Sequence, residues 1–97
     1  MKSGPALHKL AKHRIELLQQ SLNAADSAAQ EAFARVRALD LSLERERAIA
    51  AQAGQGGDFA RYAMAMKPKR IGLMQDAAGA AARADAVRAQ LLEAFAE

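Results

Sequence analysis

The chain has 97 residues, no cysteine and a formal net charge of +3. That length allows one domain at most, and the cysteine count excludes a disulfide framework or a thiolate metal site. Twenty-six residues are alanine, four are aromatic and two are proline, a composition that favours long helices over a multilayered core.

The first helix is expected from about residue 5 to residue 53. Pro5 suits a first helical turn and Ser3 stands ready to cap it. Alternating steps of three and four from His8 then reach Ala11, Ile15, Leu18, Leu22, Ala25, Ala29, Ala32, Val36, Leu39, Leu43, Glu46, Ala50 and Ala53. Twelve of these fourteen positions are apolar. A repeat of 3.5 residues keeps one stripe of a helix facing a partner helix. No proline or glycine lies between Ala6 and Ala53, so the helix should form a rod of roughly 70 Å at ~1.5 Å per residue.

Gly54-Gln55-Gly56-Gly57-Asp58 is the one strong turn signal. Gly54 suits the position after a helix C-terminus, and Asp58 suits the N-cap of the next helix. So short a link joins antiparallel neighbours.

The second helix is expected over about residues 59–97. Phe59, Ala63, Met66, Arg70, Leu73, Ala77, Ala80, Ala84, Val87, Leu91 and Ala94 repeat the three–four rule, with ten of the eleven apolar. Pro68 should kink this helix or delay its regular part, and Gly72 and Gly79 weaken it further. The segment 59–72 is thus expected to be the least regular.

A hairpin turning near residue 55 pairs positions whose numbers sum to roughly 111. Ala29 and Ala32 then face the stretch from Ala77 to Ala84, while Leu18 and Leu22 face Val87 and Leu91. The fold class is therefore all-α, a two-helix antiparallel coiled-coil hairpin. By the same rule Glu97 falls near Arg14. The first dozen residues overhang, either as a free arm or because the second helix continues further. The seam charges Glu46 and Arg70 have two readings: they snorkel from a thin seam, or they fix its register.

Chemistry-bearing patterns are absent. His8 and His13 are five residues apart and point in different directions on a helix, with no zinc-like spacing. Ser3 and His8 are near only in sequence. The glycine-rich turn follows a helix and lacks the lysine of a phosphate-binding loop. A two-helix rod is expected to offer no concave pocket. The expectation is a protein without enzymatic activity, cofactor or metal. No run of eighteen apolar residues spans a membrane. The opening Met1-Lys2-Ser3-Gly4-Pro5 leads into amphipathic sequence without the apolar core of a signal peptide.

Binding is the remaining role. Lys2, Lys9, Lys12 and Arg14 form one acid-free zone, and Arg61, Lys67, Lys69 and Arg70 form another. Such zones are solvated helix faces or meet acidic surfaces. Leu7, Leu10 and Leu17 lie off the seam of the first helix, where self-association of the arms could cover them. In the second helix Met64, Ile71 and Met74 make an off-seam stripe flanked by Tyr62. Exposed apolar stripes usually mark a contact, unless Pro68 shifts the local register and turns Ile71 and Met74 inward. Nucleic acid is the lesser alternative, because acids interleave elsewhere and only Tyr62 accompanies the basic zone.

Leu7-His8-Lys9-Leu10-Ala11-Lys12-His13-Arg14, the long alanine-rich helix, the short turn and the pair Phe59 and Tyr62 together resemble the FliJ family of flagellar export proteins. The resemblance runs over the whole chain. It implies an antiparallel coiled coil acting as a non-enzymatic cytoplasmic stalk of the type III export apparatus, peripheral to the inner membrane. Virulence secretion systems carry a similar stalk. The implied partners are the hexameric export ATPase, the membrane export gate and export chaperones. The gate side would include Phe59, Tyr62, Met64, Met66, Ile71 and Met74, and the ATPase side Lys9, Leu10, Lys12, Arg14 and Leu17. The rival expectation is a structural coiled-coil homodimer, and even the stalk leaves room for weak self-association.

Overall fold

The computed structural model of the protein describes residues 4–96. The Ser3 cap, Lys2 and the approach of Glu97 to Arg14 lie outside the described residues. Two helices account for nearly all of it: α1 is Gly4–Gln52 and α2 is Gly56–Ala96. The fold is all-α, an antiparallel two-helix hairpin.

Helix α1 runs 49 residues without interruption, as expected of a segment free of proline and glycine after its first turn. Its end is built by hydrogen bonds that only one residue type makes easily. Gly54 adopts φ +71°, the left-handed region where a side chain is strained. The amide of Gln55 then reaches the carbonyl of Ala50 at 2.8 Å, and the amide of Gly54 reaches that of Ala51 at 3.3 Å. This is a Schellman closure, which satisfies carbonyls left without helical partners.

Helix α2 starts earlier than expected. Gly56 and Gly57 form its first turn rather than the loop, and the Phe59 amide donates to the Gln55 carbonyl at 3.2 Å. Asp58 is therefore not the N-cap. It lies inside the first turn, where its charge favours the helix dipole and its carboxylate pairs with Arg61. The Schellman closure reverses the chain so tightly that no further loop residues are needed.

Pro68 neither delays nor interrupts α2, which is helical from Gly56 through Ala96. Proline removes one backbone donor, here the one that would serve the Met64 carbonyl four residues back. Pro68 and Met64 are both exposed, so water can satisfy that carbonyl at lower cost than in a core.

Burial follows the expected seam. In α1 the positions that are buried or half-buried are Ile15, Leu18, Leu22, Ala25, Ala29, Ala32, Val36, Leu39, Leu43 and Ala50, with Asp26 beside them. Every one except Asp26 belongs to the three–four series. The exposed members of that series are His8, Ala11, Glu46 and Ala53.

The chain divides into two compact units. One holds the described residues of Met1–Ala29 and Gly79–Glu97, the other is Gln30–Ala78. In the first, Ala80, Ala84, Leu91 and Ala94 are buried, and Arg88 of α2 pairs with Asp26 of α1 at 3.2 Å. In the second, Ala32, Val36 and Ala77 are buried, and Arg70 pairs with Asp40 at 2.8 Å. The residue numbers of the two pairs total 114 and 110, bracketing the expected sum. Alanines can reach full burial in a seam of two helices only where the facing helix comes close. Ala77, at 0% exposure, marks such an approach in the second unit.

Candidate partner-binding surfaces

The unit Gln30–Ala78 carries the six gate-side candidates, and it does not bring them to one surface. Tyr62, Met66 and Leu73 of α2 line a groove with Arg35, Ala38, Leu39 and Ser42 of α1, and Lys69 stands on its α2 wall. The groove encloses ≈ 400 Å³. The sequence led to the expectation of no concave pocket, and this feature is an open groove along the seam. Side chains flanking a two-helix seam rise above it on each side, and small residues such as Ala38 and Ser42 leave the floor open.

Ile71 and Met74 lie elsewhere. Lys69 and Tyr62 each precede a seam position of α2, whereas Ile71 and Met74 each follow one. At ~100° per residue the two sets stand on different flanks of the helix. Met64, Ile71 and Met74 are 66%, 57% and 38% exposed, so Pro68 does not turn Ile71 and Met74 into the seam. The remaining candidate, Phe59, is half-buried at its seam position. With Glu46, Ala50, Gln55, Asp58 and Tyr62 it frames a shallow pocket of ≈ 180 Å³ beside the chain reversal.

The two seam charges resolve differently. Arg70 leaves the seam and holds Asp40 through two hydrogen bonds, Nε to Oδ1 at 2.8 Å and Nη2 to Oδ2 at 3.0 Å. These bonds keep the Asp40 carboxyl below the usual carboxylate range and the Arg70 guanidinium above its own. Glu46 is exposed and borders the pocket around Phe59. Its neighbour Glu44 pairs along the same helix with Arg47, whose guanidinium lowers the Glu44 pKa.

The other unit holds the ATPase-side candidates. Leu10 and Leu17 are exposed, as are Lys9, Lys12 and Arg14. Lys12 also borders a groove of ≈ 340 Å³ formed with His8, Ala11, Ile15, Ala94 and Phe95. Leu92 and Phe95 are exposed at 64% and 58%. Neither was singled out from the sequence, because they adjoin the seam residues Leu91 and Ala94. Their three-residue spacing on α2 was the available signal. Phe33, Leu41 and Ile49 of α1 are exposed apolar side chains of the same overlooked kind.

Among the described residues no group of three or more histidine, aspartate or glutamate side chains is placed to hold a metal ion. Among the described residues no helix is long and apolar enough to cross a membrane. No polar or charged side chain is buried among the described residues.

The fold and these surfaces define a class: a helical hairpin with a regular alanine-rich seam and apolar side chains displayed off it. No family model, no curated protein and no solved structure matches the chain.

Proposed function

We propose that this chain is a non-enzymatic stalk or adaptor of a type III protein export apparatus. In this reading it binds the hexameric export ATPase, the membrane export gate and export chaperones at the cytoplasmic side of the inner membrane. The proposal rests on the resemblance of its opening residues and of the Phe59 and Tyr62 pair to the FliJ family. The observation that carries it is the exposure of Met64, Ile71 and Met74 on a helix whose seam is already occupied by α1. Apolar side chains held outside a satisfied seam suit contact with another protein.

The gate contact is assigned to Phe59, Tyr62 and the Met64, Met66, Ile71 and Met74 group, and the ATPase contact to Lys9, Leu10, Lys12, Arg14 and Leu17. No nucleic-acid role is assigned. The experiment is a binding assay with the purified export ATPase and with the soluble part of the export gate. Phe59→Ala combined with Tyr62→Ala should weaken gate binding while helicity by circular dichroism stays unchanged. Absence of binding to both proteins would overturn the reading. It would leave the structural homodimer, which the off-seam stripe Met64, Ile71 and Met74 also suits and which sedimentation would reveal.

A further inference from the structure

We infer that the groove walled by Arg35 and Lys69 receives a third α-helix, an amphipathic segment of a partner protein with acidic residues flanking its apolar ridge. The groove shares Tyr62 and Met66 with the proposed gate contact, but the inference does not rest on the export assignment, since the occupant is defined by the chemistry of the groove alone.

The shape of the occupant follows from the spacing of the walls. On α1 the groove is lined by Arg35, Ala38, Leu39 and Ser42, and on α2 by Tyr62, Met66, Lys69 and Leu73. The α2 series steps by four and three residues, and Arg35, Leu39 and Ser42 do the same, with Ala38 beside Leu39 on the floor. Walls that repeat every 3.5 residues present a row of holes at the same repeat. Another helix, with apolar residues at that repeat, fills such holes in succession. The floor of Ala38, Leu39, Met66 and Leu73 is apolar, so the ridge that enters must be apolar too.

The sign of its flanks follows from the charges. Arg35 and Lys69 stand on opposite walls, and among the described residues neither makes an ion pair. The other flank of the same unit is different. There Arg70 is already held by Asp40. The other flank also carries Arg37 and Lys67, neither of which lines this groove, whereas on this side two unpaired cations stand on opposite walls of an apolar floor. Asp76, next on this side of α2 after Lys69, falls level with Arg35 by the pairing sum, but it neither lines the groove nor makes an ion pair with Arg35. A helix with glutamate or aspartate on both flanks meets Arg35 on one side and Lys69 on the other. A basic helix would meet like charge on both, which is strongly unfavourable.

The test uses the full chain as bait for a displayed library of helical peptides, with leucines fixed at heptad positions and the flanking positions varied freely. The expected result is enrichment of peptides with acidic flanks. Their affinity should fall about tenfold or more on Lys69→Glu or Arg35→Glu, changes large enough to report direct charge contact. A lysine-flanked version of an enriched peptide should regain affinity for the Lys69→Glu chain. Leu41→Ser, at an exposed apolar residue of α1 outside the groove lining, should leave binding unchanged. Failure to enrich any helical peptide would overturn the inference. So would enrichment of basic or neutral flanks, or binders that respond to Leu41→Ser and ignore Lys69→Glu. A single-stranded oligonucleotide that binds with the same dependence on Arg35 and Lys69, and more tightly than any peptide, would reassign the groove to nucleic acid.

Discussion

Arg70 of α2 grips Asp40 of α1 side-on, with Nε 2.8 Å from Oδ1 and Nη2 3.0 Å from Oδ2. A two-pronged guanidinium–carboxylate contact fixes direction as well as distance. Slipping α2 along α1 by one turn would break both bonds. The apolar seam alone gives weaker discrimination, because alanines recur along both helices and one alanine layer resembles the next. Arg70 thus occupies a seam position without packing in it, and its contribution is to register more than to burial.

The pair also makes stability depend on pH. The Arg70 guanidinium holds the Asp40 carboxyl below its ordinary value, so Asp40 binds a proton more weakly in the folded state. The resulting stabilisation is present above the unfolded carboxylate pKa of about 3.9. It is lost as the pH falls through the lower, folded value. Asp40→Asn should therefore reduce stability at neutral pH, and the gap to the unsubstituted chain should close in strong acid. Carboxyl titration by NMR should place Asp40 below the ordinary aspartate value and raise it in Arg70→Gln. A gap that persists unchanged into strong acid would show that the pair does not act through its charge.

Three glycines around the chain reversal should respond in opposite directions. Gly54 needs its left-handed φ of +71°, and a Cβ there would meet nothing within 4 Å. Gly54→Ala should thus be penalised by conformation alone, at about 1 kcal/mol. In a domain of this size that lowers Tm by about 4–8 °C. Gly56 and Gly57 are helical and equally open. Alanine at either should stabilise by about 0.5–1 kcal/mol. Thermal unfolding of the three single variants checks the sign of each.

The seam was legible because its signal is redundant: each apolar step of three or four repeats the same message. The boundary of α2 was not. Gly56 and Gly57 carry turn propensity, and only the hydrogen bonds of Gln55 show that the chain has already reversed before them. Pro68 was read as a kink in the helix or a delay of its regular part, whereas α2 is helical through it, and the exposure of Met64 and Pro68 makes the missing donor tolerable. The exposed Ile71 and Met74 were recognised as displayed, yet Tyr62 and the seam residue Met66 were grouped with them. Which flank of the seam a residue occupies depends on whether it precedes or follows a seam position. A reading centred on the apolar stripe does not weigh that difference. The groove needed the second helix as well, since Arg35 and Lys69 are 34 residues apart in sequence and share a surface only through the hairpin.

The small seam residues should resist enlargement. Ala77 is fully enclosed at 0% exposure, so added methylenes have no open space to enter. Ala77→Leu should destabilise by about 1–3 kcal/mol through overpacking, although leucine is nearly as good a helix former as alanine. Ala78, the next residue, is exposed, and Ala78→Leu should change stability little. Chemical denaturation of the two variants separates packing from helix propensity. Equal effects would show that the helices part freely at Ala77.

Replacing Pro68 should strengthen α2. Proline within a helix is less favourable than alanine by about 3 kcal/mol, through the absent donor and the clash of its ring with the carbonyl four residues back. Pro68 is exposed and contributes no buried surface, so Pro68→Ala should recover much of that amount with no packing lost. Denaturation midpoints should rise, and amide exchange should slow between residues 64 and 72. Met66 and Lys69 stand two residues before and one after the proline and both line the Arg35 groove. Any bend that Pro68 imposes therefore acts on the floor and wall of that groove together. If the variant gains stability yet loses the acid-flanked helical peptides, the proline shapes the groove. If it gains stability and keeps them, the groove is set by the seam on either side.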